Sequence, residues 1–271
     1  MKAIQKLYNN LLTSRAISVL GAVQYARYLA TFLMHLPDVI RIGDLCQVDE
    51  AMGVKTEKFR YRDTDFLFDC RFCDEYIRDG TFAFGIVREI YIRDCYFKHL
   101  PPAVYANART VIDLGANRGA FSVLVASRAK VVLSVEAQEQ FVPVIRHNMQ
   151  KNGHQNYDIE IGFVGAGGSL AAEFRSTPSL TIHALLNRYN LKQVDLLKMD
   201  IEGSEFALFN SSDWLQHVNA ISMEIHPFYG DASIILELLT RHGFTFVIAD
   251  ENLSRVTDAK SANFIYAWRN G

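Results

Sequence analysis

The chain has 271 residues, with 28 Lys plus Arg against 30 Asp plus Glu, which gives a formal net charge of −2. Hydrophobic residues make up 49% and aromatic residues 12%, so the composition excludes a disordered, low-complexity or collagen-like chain. The near balance of charge argues against a surface that coats nucleic acid, because such a surface needs an excess of Lys and Arg. The length fits one large domain, or one standard domain with an accessory segment.

Apolar side chains recur at three- and four-residue spacing between residues 4 and 36, which predicts one long amphipathic helix or a pair of helices. Gln24, Arg27 and His35 interrupt this stretch where a bilayer interior would disfavour them. We therefore expect the helix to pack on the body of the protein or on a second subunit, as in a homo-oligomer, rather than to span a membrane. Contact with a membrane surface stays an alternative.

Residues 58–70 alternate charged and aromatic side chains around an Asp-Thr-Asp turn, a pattern typical of a β-hairpin with one buried face. Residues 85–97 form a half-buried segment, helix or strand, that leads to Pro101 and Pro102. This proline pair marks a boundary. We expect residues 1–100 to form a helical and β-hairpin extension, a candidate lid, substrate or oligomerisation element, and residues 101–271 to form the main domain.

The four cysteines are Cys46, Cys70, Cys73 and Cys95. Only Cys70 and Cys73 have the two-residue gap of metal sites, and no second pair or His partner follows at similar spacing, so we expect reduced thiols rather than a zinc site. No clear secretory signal is recognisable, and we expect a cytoplasmic location.

Short apolar runs alternate with helical segments from residue 108 onwards. The predicted strands are RTVIDL, KVVLSVE, YDIEIGFV, VDLLKM, AISMEI, FTFVIA and NFIYAW. Strands that alternate with helices predict a mainly parallel sheet, since a parallel crossover needs a long connection. The expected fold is α/β and doubly wound, with a seven-stranded sheet.

The loop after the first predicted strand is a candidate binding site, because ligands of such sheets bind beyond the carboxyl ends of the strands. Gly115 and Gly119 remove side chains where a ligand would approach the backbone. Glu136 ends the second predicted strand, where an acidic side chain can accept both hydroxyls of a ribose. These features predict a nucleoside site. The candidate cofactor-binding residues are Asp113, Gly115, Ala116, Asn117, Gly119, Glu136, Ala137, Phe163, Val164 and Asp200.

The spacing of the glycines indicates which nucleoside derivative binds. The loop lacks both the G-x-G-x-x-G of a dinucleotide site and the lysine of a P-loop, which disfavours a nicotinamide dehydrogenase. Asp113 would repel phosphates but suits a cationic ligand, such as the amino group and sulfonium of S-adenosylmethionine.

Ionisable residues follow the fourth and fifth predicted strands. Lys198, Asp200 and Glu202 lie at the end of VDLLKM, and Glu224 and His226 lie at the end of AISMEI. Strand alternation and adjacent strand ends would bring these side chains to one cleft, so they are the candidate catalytic residues. Pairing of Lys198 with Asp200, and a helix-dipole role for Glu205, are the structural alternatives.

The sequence resembles the FkbM-type methyltransferases. The matching stretches are VIDLGANRGAFS (111–122), VEA (135–137), SLTIHALLNRYNLKQVDLLKMDIEGSEFALF (179–209) and MEIHP (223–227). The resemblance implies a Rossmann-like class I methyltransferase fold, S-adenosylmethionine as cofactor, and O-methylation of a small-molecule or saccharide acceptor. Ala137 stands where the family usually has Pro, and Ile182-His183 stands where it usually has Leu-Asp.

Methyl transfer to a hydroxyl requires a base, because an alkyl hydroxyl is a poor nucleophile at neutral pH. We expect His226 to be this base, with Glu224 or Glu202 orienting it and Asp200 near the cofactor or the substrate. A rival mechanism has Asp200, Glu202 and Glu224 holding Mg²⁺, which would acidify the hydroxyl by coordination. A non-catalytic binding or interaction protein on the same fold is the alternative to an enzyme.

Overall fold

A computed structural model of the chain describes residues 14–54, 56–165 and 177–269. The helices are α1 (Ser14–Ile42), α2 (Cys46–Gly53), α3 (Cys70–Tyr76), α4 (Ala83–Val87), α5 (Pro102–Asn107), α6 (Ala120–Ala126), α7 (Val142–Lys151), α8 (Ile182–Arg188), α9 (Glu205–Leu208) and α10 (Ala232–Arg241). The strands are β1 (Lys58–Tyr61), β2 (Thr64–Leu67), β3 (Thr110–Leu114), β4 (Val131–Glu136), β5 (Tyr157–Ile161), β6 (Phe163–Val164), β7 (Ser179–Leu180), β8 (Leu196–Met199), β9 (Ala220–Glu224), β10 (Thr245–Ala249), β11 (Arg255–Val256) and β12 (Phe264–Trp268).

The chain divides into two compact units. The first unit comprises the residues up to Cys95 together with Arg118–Ser127 and Pro143–Gln155. The second unit comprises Tyr96–Asn117, Arg128–Val142 and the residues from Asn156 onwards. The domain division at residue 100, derived from the proline pair, stays a prediction.

The first unit begins with α1, whose helical geometry is broken at Gly21 (φ 72°, ψ 162°). This kink confirms the pair of helices among the alternatives, while residues 4–13 of the predicted stretch lie outside the described residues. By length and composition alone α1 would reach across a membrane, and its most apolar window is only 28% buried. The exposed apolar side chains of α1 are Ile17, Val23, Leu33, Met34, Ile40 and Ile42.

The predicted hairpin is confirmed, because β1 and β2 pair antiparallel with Phe59 opposite Phe66. The segment from residue 85 is helical: α4 continues into a π-helical turn over Arg88–Ile92. Tyr91 in this turn is fully buried, packs its ring 4.7 Å from that of Phe66, and donates a hydrogen bond to the carbonyl of Ala120. Edge-to-face aromatic contacts of this kind stabilise a core beyond the burial of area. The aromatic residues of the extension are therefore largely core residues.

Cys70 and Cys73 are buried on α3 of the first unit. Burial raises the pKa of Cys73 to about 12 and raises that of Cys70 well above its usual value. Both therefore carry protons at neutral pH.

The second unit contains an eight-stranded sheet, within the described residues, in the order β11-β10-β12-β9-β8-β3-β4-β5. The strands from β9 to β5 are parallel, whereas β12, β10 and β11 are antiparallel to their neighbours. The seven predicted strands are all present, which confirms the mainly parallel α/β fold, and the two-residue β11 adds an eighth at one edge. The strand order reverses between β3 and β8, so the loops after these strands flank the position where sheets of this type bind ligands.

Burial on both faces explains why the parallel strands form a central sheet. All residues of β8, and all but the first residue of β3, are buried. Apart from Asp113 and Lys198 these buried residues are apolar, as is typical of parallel strands that are covered on both faces. A second, small parallel pair, β6 with β7, joins Phe163 and Val164 to Ser179 and Leu180.

Candidate functional site

An open cavity of about 640 Å³, including solvent at its mouth, lies at the reversal of strand order. Its walls come from the loops after β3, β4 and β8 and from β6. The lining residues are Gly115, Asn117, Val135, Glu136, Ala137, Gln138, Gly162, Phe163, Val164, Asp200, Ile201 and Glu202. Seven of the predicted cofactor-binding residues, Gly115, Asn117, Glu136, Ala137, Phe163, Val164 and Asp200, are among them.

Glu136 forms one wall of this cavity and holds the neighbouring loops together. Its carboxylate accepts hydrogen bonds from the backbone N–H of Asn117 at 2.7 Å and of Gln138 at 2.9 Å. Burial raises the pKa of Glu136, and these two backbone donors oppose that rise. Since each carboxylate oxygen has more than one lone pair, the group can still accept bonds from a ligand in the cavity.

Gly115 is needed for a reason that sequence reasoning missed. Its φ is 73°, and a Cβ atom there would lie 1.8 Å from the carbonyl oxygen of Asp200. The missing side chain therefore makes room for the loop after β8, whereas the expectation was room for a ligand. Gly119 belongs to the first unit, and a Cβ atom there would lie 3.2 Å from Cα of Ile145. This close packing is a second reason for a glycine at residue 119, and its predicted ligand role stays a prediction.

Asp113 and Lys198 form a buried ion pair with 3.2 Å between Oδ1 and Nζ. Lys198 also donates to the carbonyl oxygens of Gly115, at 2.7 Å, and Leu114. Asp113 is fully buried and Lys198 is 3% exposed, and neither lines the cavity. The structure thus pairs Asp113 with Lys198 outside the cavity lining, and the predicted roles of Asp113 toward a cationic ligand and of Lys198 at the reacting atoms stay predictions. Their charges cancel each other below the surface, where an unpaired charge would be costly. Ala116 is likewise buried and outside the cavity lining.

Asp200, Glu202 and His226 come together at the ends of β8 and β9. Each offers one nitrogen or oxygen atom within 4.8 Å of those of the other two. Tyr96 donates its hydroxyl to Asp200 Oδ2 at 2.8 Å and so orients this carboxylate. Glu202 has a left-handed backbone (φ 53°), and its Oε2 lies 3.5 Å from His226 Nε2. This group, the acid–histidine cluster, is the part of the predicted catalytic set that the structure brings together.

Glu205 orients His226, a role that sequence reasoning did not find. Its Oε1 lies 3.1 Å from His226 Nδ1 and accepts the backbone N–H of Ile201 at 3.2 Å. Glu205 is completely buried. From sequence position alone, Glu205 was considered as a first-turn charge that the helix dipole favours. The usable signal was that α9 begins soon after the end of β8, which places its first residue near the strand ends.

His226 is charged at neutral pH in this arrangement. The hydrogen bond to Glu205 is the main cause that raises the pKa of His226 to about 9. Burial opposes this rise. Coulombic attraction to Glu205, Asp200 and Glu202 adds to it. The pKa of Glu202 is raised, first by burial and then by Asp200, while His226 lowers it. Below pH 9 the imidazole already carries its proton, so the assignment of His226 as base stays a prediction.

Glu224 ends β9 opposite Phe264 and is half-buried. In the part of the chain that the structure describes, His226 rather than Glu224 joins Asp200 and Glu202 in the group that could hold a metal ion. The rival mechanism considered from the sequence had Glu224 in the place that His226 takes in this group. His183, which replaces the family's usual Asp, is exposed and pairs with Asp213 at 2.9 Å.

Comparison with known protein families gives a match. The family described as methyltransferase FkbM domain matches residues 113–246. No curated protein matches the chain.

Solved structures give more distant likenesses. Precorrin-6y C5,15-methyltransferase from Geobacter metallireducens is 16% identical over 61% of this chain and 84% of its own, with a TM-score of 0.38. An rRNA methylase from Streptococcus thermophilus is 13% identical over 62% of this chain and 92% of its own, with a TM-score of 0.41. A putative methyltransferase complexed with SAH is 13% identical over 78% of this chain and 54% of its own, with a TM-score of 0.44. At these values the likenesses to solved structures carry no functional argument.

Proposed function

From the membership of residues 113–246 in the methyltransferase FkbM family, we propose that this chain transfers a methyl group from S-adenosylmethionine to a hydroxyl oxygen. The acceptor is a small molecule or a saccharide. The observation that carries the proposal is the cavity at the reversal of strand order, which has Glu136 in one wall and Asp200 and Glu202 in another.

The cavity walls fit the parts of this methyl donor. Glu136 can accept hydrogen bonds from ribose hydroxyls, and Phe163 and Val164 offer apolar surface to an adenine ring. Asp200 and Glu202 supply negative charge, which favours the cationic amino group and sulfonium. The bound donor supplies the electrophilic methyl group. Residues of this chain must position the acceptor and take up its proton.

The acid–histidine cluster has groups that could take up the proton that the acceptor hydroxyl loses during methyl transfer. A hydroxyl becomes a competent nucleophile only as its proton leaves, so a proton acceptor must lie within hydrogen-bond reach. Asp200 and Glu202 offer carboxylate oxygens as proton acceptors, whereas His226 is already protonated below pH 9. His226 can accept a proton only after it has lost its own, which happens above about pH 9.

An exposed aromatic pair next to the cluster supports a ring-shaped acceptor. Phe228 is 91% exposed, and its ring lies 5.3 Å from that of Tyr229 in an edge-to-face arrangement. Both belong to the 3₁₀ turn Pro227–Tyr229 directly after His226. An aromatic face that is left in water is well suited to cover the apolar face of a sugar or aromatic ring.

The predictions on location and partners are untested. They are a cytoplasmic location, a homo-oligomer, membrane contact through α1 and the absence of nucleic-acid binding.

Calorimetric titration of S-adenosylhomocysteine, the demethylated product, into the full chain tests the donor site. We expect a specific site, with nicotinamide nucleotide giving no heat. Glu136→Gln should weaken binding about 10- to 100-fold, as expected for loss of a hydrogen bond to a charged group. Glu237→Gln is the matched control, since Glu237 is an exposed carboxylate that pairs with Arg241 on α10. No heat from the product in folded protein would end the proposal.

Methyl transfer itself is tested with labelled donor and a panel of hydroxylated acceptors. His226→Ala should lower turnover about 10²- to 10⁴-fold while product affinity changes little. Donor binding without transfer to any acceptor would favour the non-catalytic alternative. Transfer to carbon or nitrogen would refute the hydroxyl acceptor and leave the proposed methyltransferase activity intact.

A further inference from the structure

The acid–histidine cluster has the spacing of metal ligands. Asp200, Glu202 and His226 provide two oxygens and one nitrogen that all lie within 4.8 Å of one another. Adjacent ligands of one ion, each about 2.1 Å from it, are about 3.0–3.4 Å apart for octahedral to tetrahedral angles. The distance of 3.5 Å from Glu202 Oε2 to His226 Nε2 is close to that separation.

A buried carboxylate behind the histidine provides an independent observation. Glu205 is completely inaccessible, and its Oε1 contacts His226 Nδ1 at 3.1 Å, which leaves Nε2 directed towards Glu202. Metal-binding histidines typically donate their second ring N–H to a carboxylate in this way, which fixes the tautomer and the ring orientation. Among the described residues no hydrogen-bond partner reaches the other oxygen of this carboxylate, Oε2.

The charges of the site favour a cation as well. Asp200, Glu202 and Glu205 bring three carboxylates to a single imidazole. One imidazole cannot pair with all the oxygens of these three carboxyl groups, and one of the groups, on Glu205, is buried where an unpartnered polar atom is costly. A divalent ion in place of the Nε2 proton would give the oxygens of Asp200 and Glu202 a common partner.

We propose that Asp200, Glu202 and His226 bind one divalent transition-metal ion of the Mn²⁺ or Zn²⁺ class, with Glu205 as the positioning residue. Two carboxylates and one imidazole match such ions better than Mg²⁺, which prefers oxygen ligands alone. On binding, the Nε2 proton of His226 leaves to solvent and the nitrogen lone pair goes to the metal. The catalytic meaning rests on the proposed function: an acceptor hydroxyl at an open coordination position would become more acidic.

The test is metal binding by the full chain, stripped with chelator and then titrated with Mn²⁺ alone, with no methyl donor present. Electron paramagnetic resonance of free Mn²⁺ counts the bound ions, and competition with Zn²⁺ gives its affinity. We expect one ion per chain. Asp200→Asn and His226→Gln should each weaken binding at least about 10-fold, and Glu205→Gln about 10- to 100-fold, the usual effect of losing a residue that orients a ligand.

His183→Ala is the matched control, because His183 and Asp213 form an exposed histidine–carboxylate pair that is not part of the cluster. This variant should bind Mn²⁺ as the wild type does, and circular dichroism of every variant checks that the protein is folded. Absence of a bound ion in the wild type, or equal affinity in His183→Ala and His226→Gln, overturns the metal site.

Titration of S-adenosylhomocysteine in chelator separates this inference from the proposed function. Product binding without metal binding refutes the metal site and leaves the methyltransferase proposal intact. Metal binding without product binding refutes the donor site and leaves the metal site intact.

Discussion

Replacement of Gly115 by Ala perturbs the contact between two of the loops that line the cavity, those after β3 and β8. The left-handed backbone at this position (φ 73°) costs about 1–2 kcal/mol for a residue with a Cβ atom. The new Cβ would lie 1.8 Å from the carbonyl oxygen of Asp200, and ordinary contact begins at 3.4 Å, so the loops must separate by about 1.6 Å. Overpacking of this kind adds about 1–3 kcal/mol. We expect Gly115→Ala to destabilise the chain by about 2–5 kcal/mol.

The same displacement should impair the site, because Asp200 carries part of the acid–histidine cluster. A shift of about 1 Å in a reacting group can lower a rate about 10²-fold. Gly243 provides the matched control: its φ is 78°, and in the described part of the chain no atom lies within 4 Å of the position that a Cβ would occupy. Gly243→Ala should therefore lose only the backbone cost of about 1–2 kcal/mol.

Urea denaturation of both variants measures the free energy of unfolding, and titration with S-adenosylhomocysteine measures the donor site. We expect Gly115→Ala to lose more stability than Gly243→Ala and to weaken product binding, while Gly243→Ala binds normally. Equal losses of stability in the two variants, with product affinity unchanged in both, would show that the loops do not meet as described.

Further predictions concern the charged groups. In chelator-treated protein, nuclear magnetic resonance should show that His226 titrates near pH 9. Glu205→Gln should lower this pKa, because it removes the hydrogen bond to a carboxylate that is the main cause of the raised value. An unchanged pKa in this variant would contradict the role of Glu205. Burial raises the pKa of Asp74 to about 6, above the value of about 4 in the unfolded chain. Because the folded protein binds this proton more tightly, Asp74 contributes to the free energy of unfolding at low pH, and that contribution is lost as the pH rises from about 4 to 6. Asp74→Asn should therefore raise the melting temperature at pH 7.5 relative to wild type but not at pH 3.5, and a pH-independent effect would refute this. Asp49→Asn should lower the free energy of unfolding by about 3–5 kcal/mol, because it leaves the buried guanidinium of Arg88 without the carboxylate 2.8 Å away. Replacement of both residues by apolar ones should restore most of this stability. A double variant as unstable as Asp49→Asn would argue against the ion pair as the cause.

Local sequence pattern was sufficient for most of the secondary structure. The seven predicted strands are present because each is an apolar run of strand length between turn residues, a property that needs no knowledge of distant contacts. The helices after β3, β4 and β8 are also present. The eighth strand was missed because Arg255–Val256 is too short to show a pattern and depends on pairing with β10.

The candidate site was predictable only in part. Strand ends predicted that Asp200, Glu202 and His226 would converge, because neighbouring parallel strands end at the same edge of a sheet. Lys198 could not be assigned in the same way, since its partner Asp113 lies on β3 and pairing depends on strand order, which the sequence does not state.

The sequence by itself determined the alternation of strands and helices, the α/β class and the residue types at the strand ends, because these follow from local periodicity. Only the tertiary structure decided which of those groups touch. The burial of Glu205 behind His226, the proton that His226 holds up to about pH 9 and the close approach of Gly115 to Asp200 each depend on distances between segments that are remote in the chain. Electrostatic energies change steeply with such distances and with exclusion of water, so residue identity alone did not settle the charge state of the site.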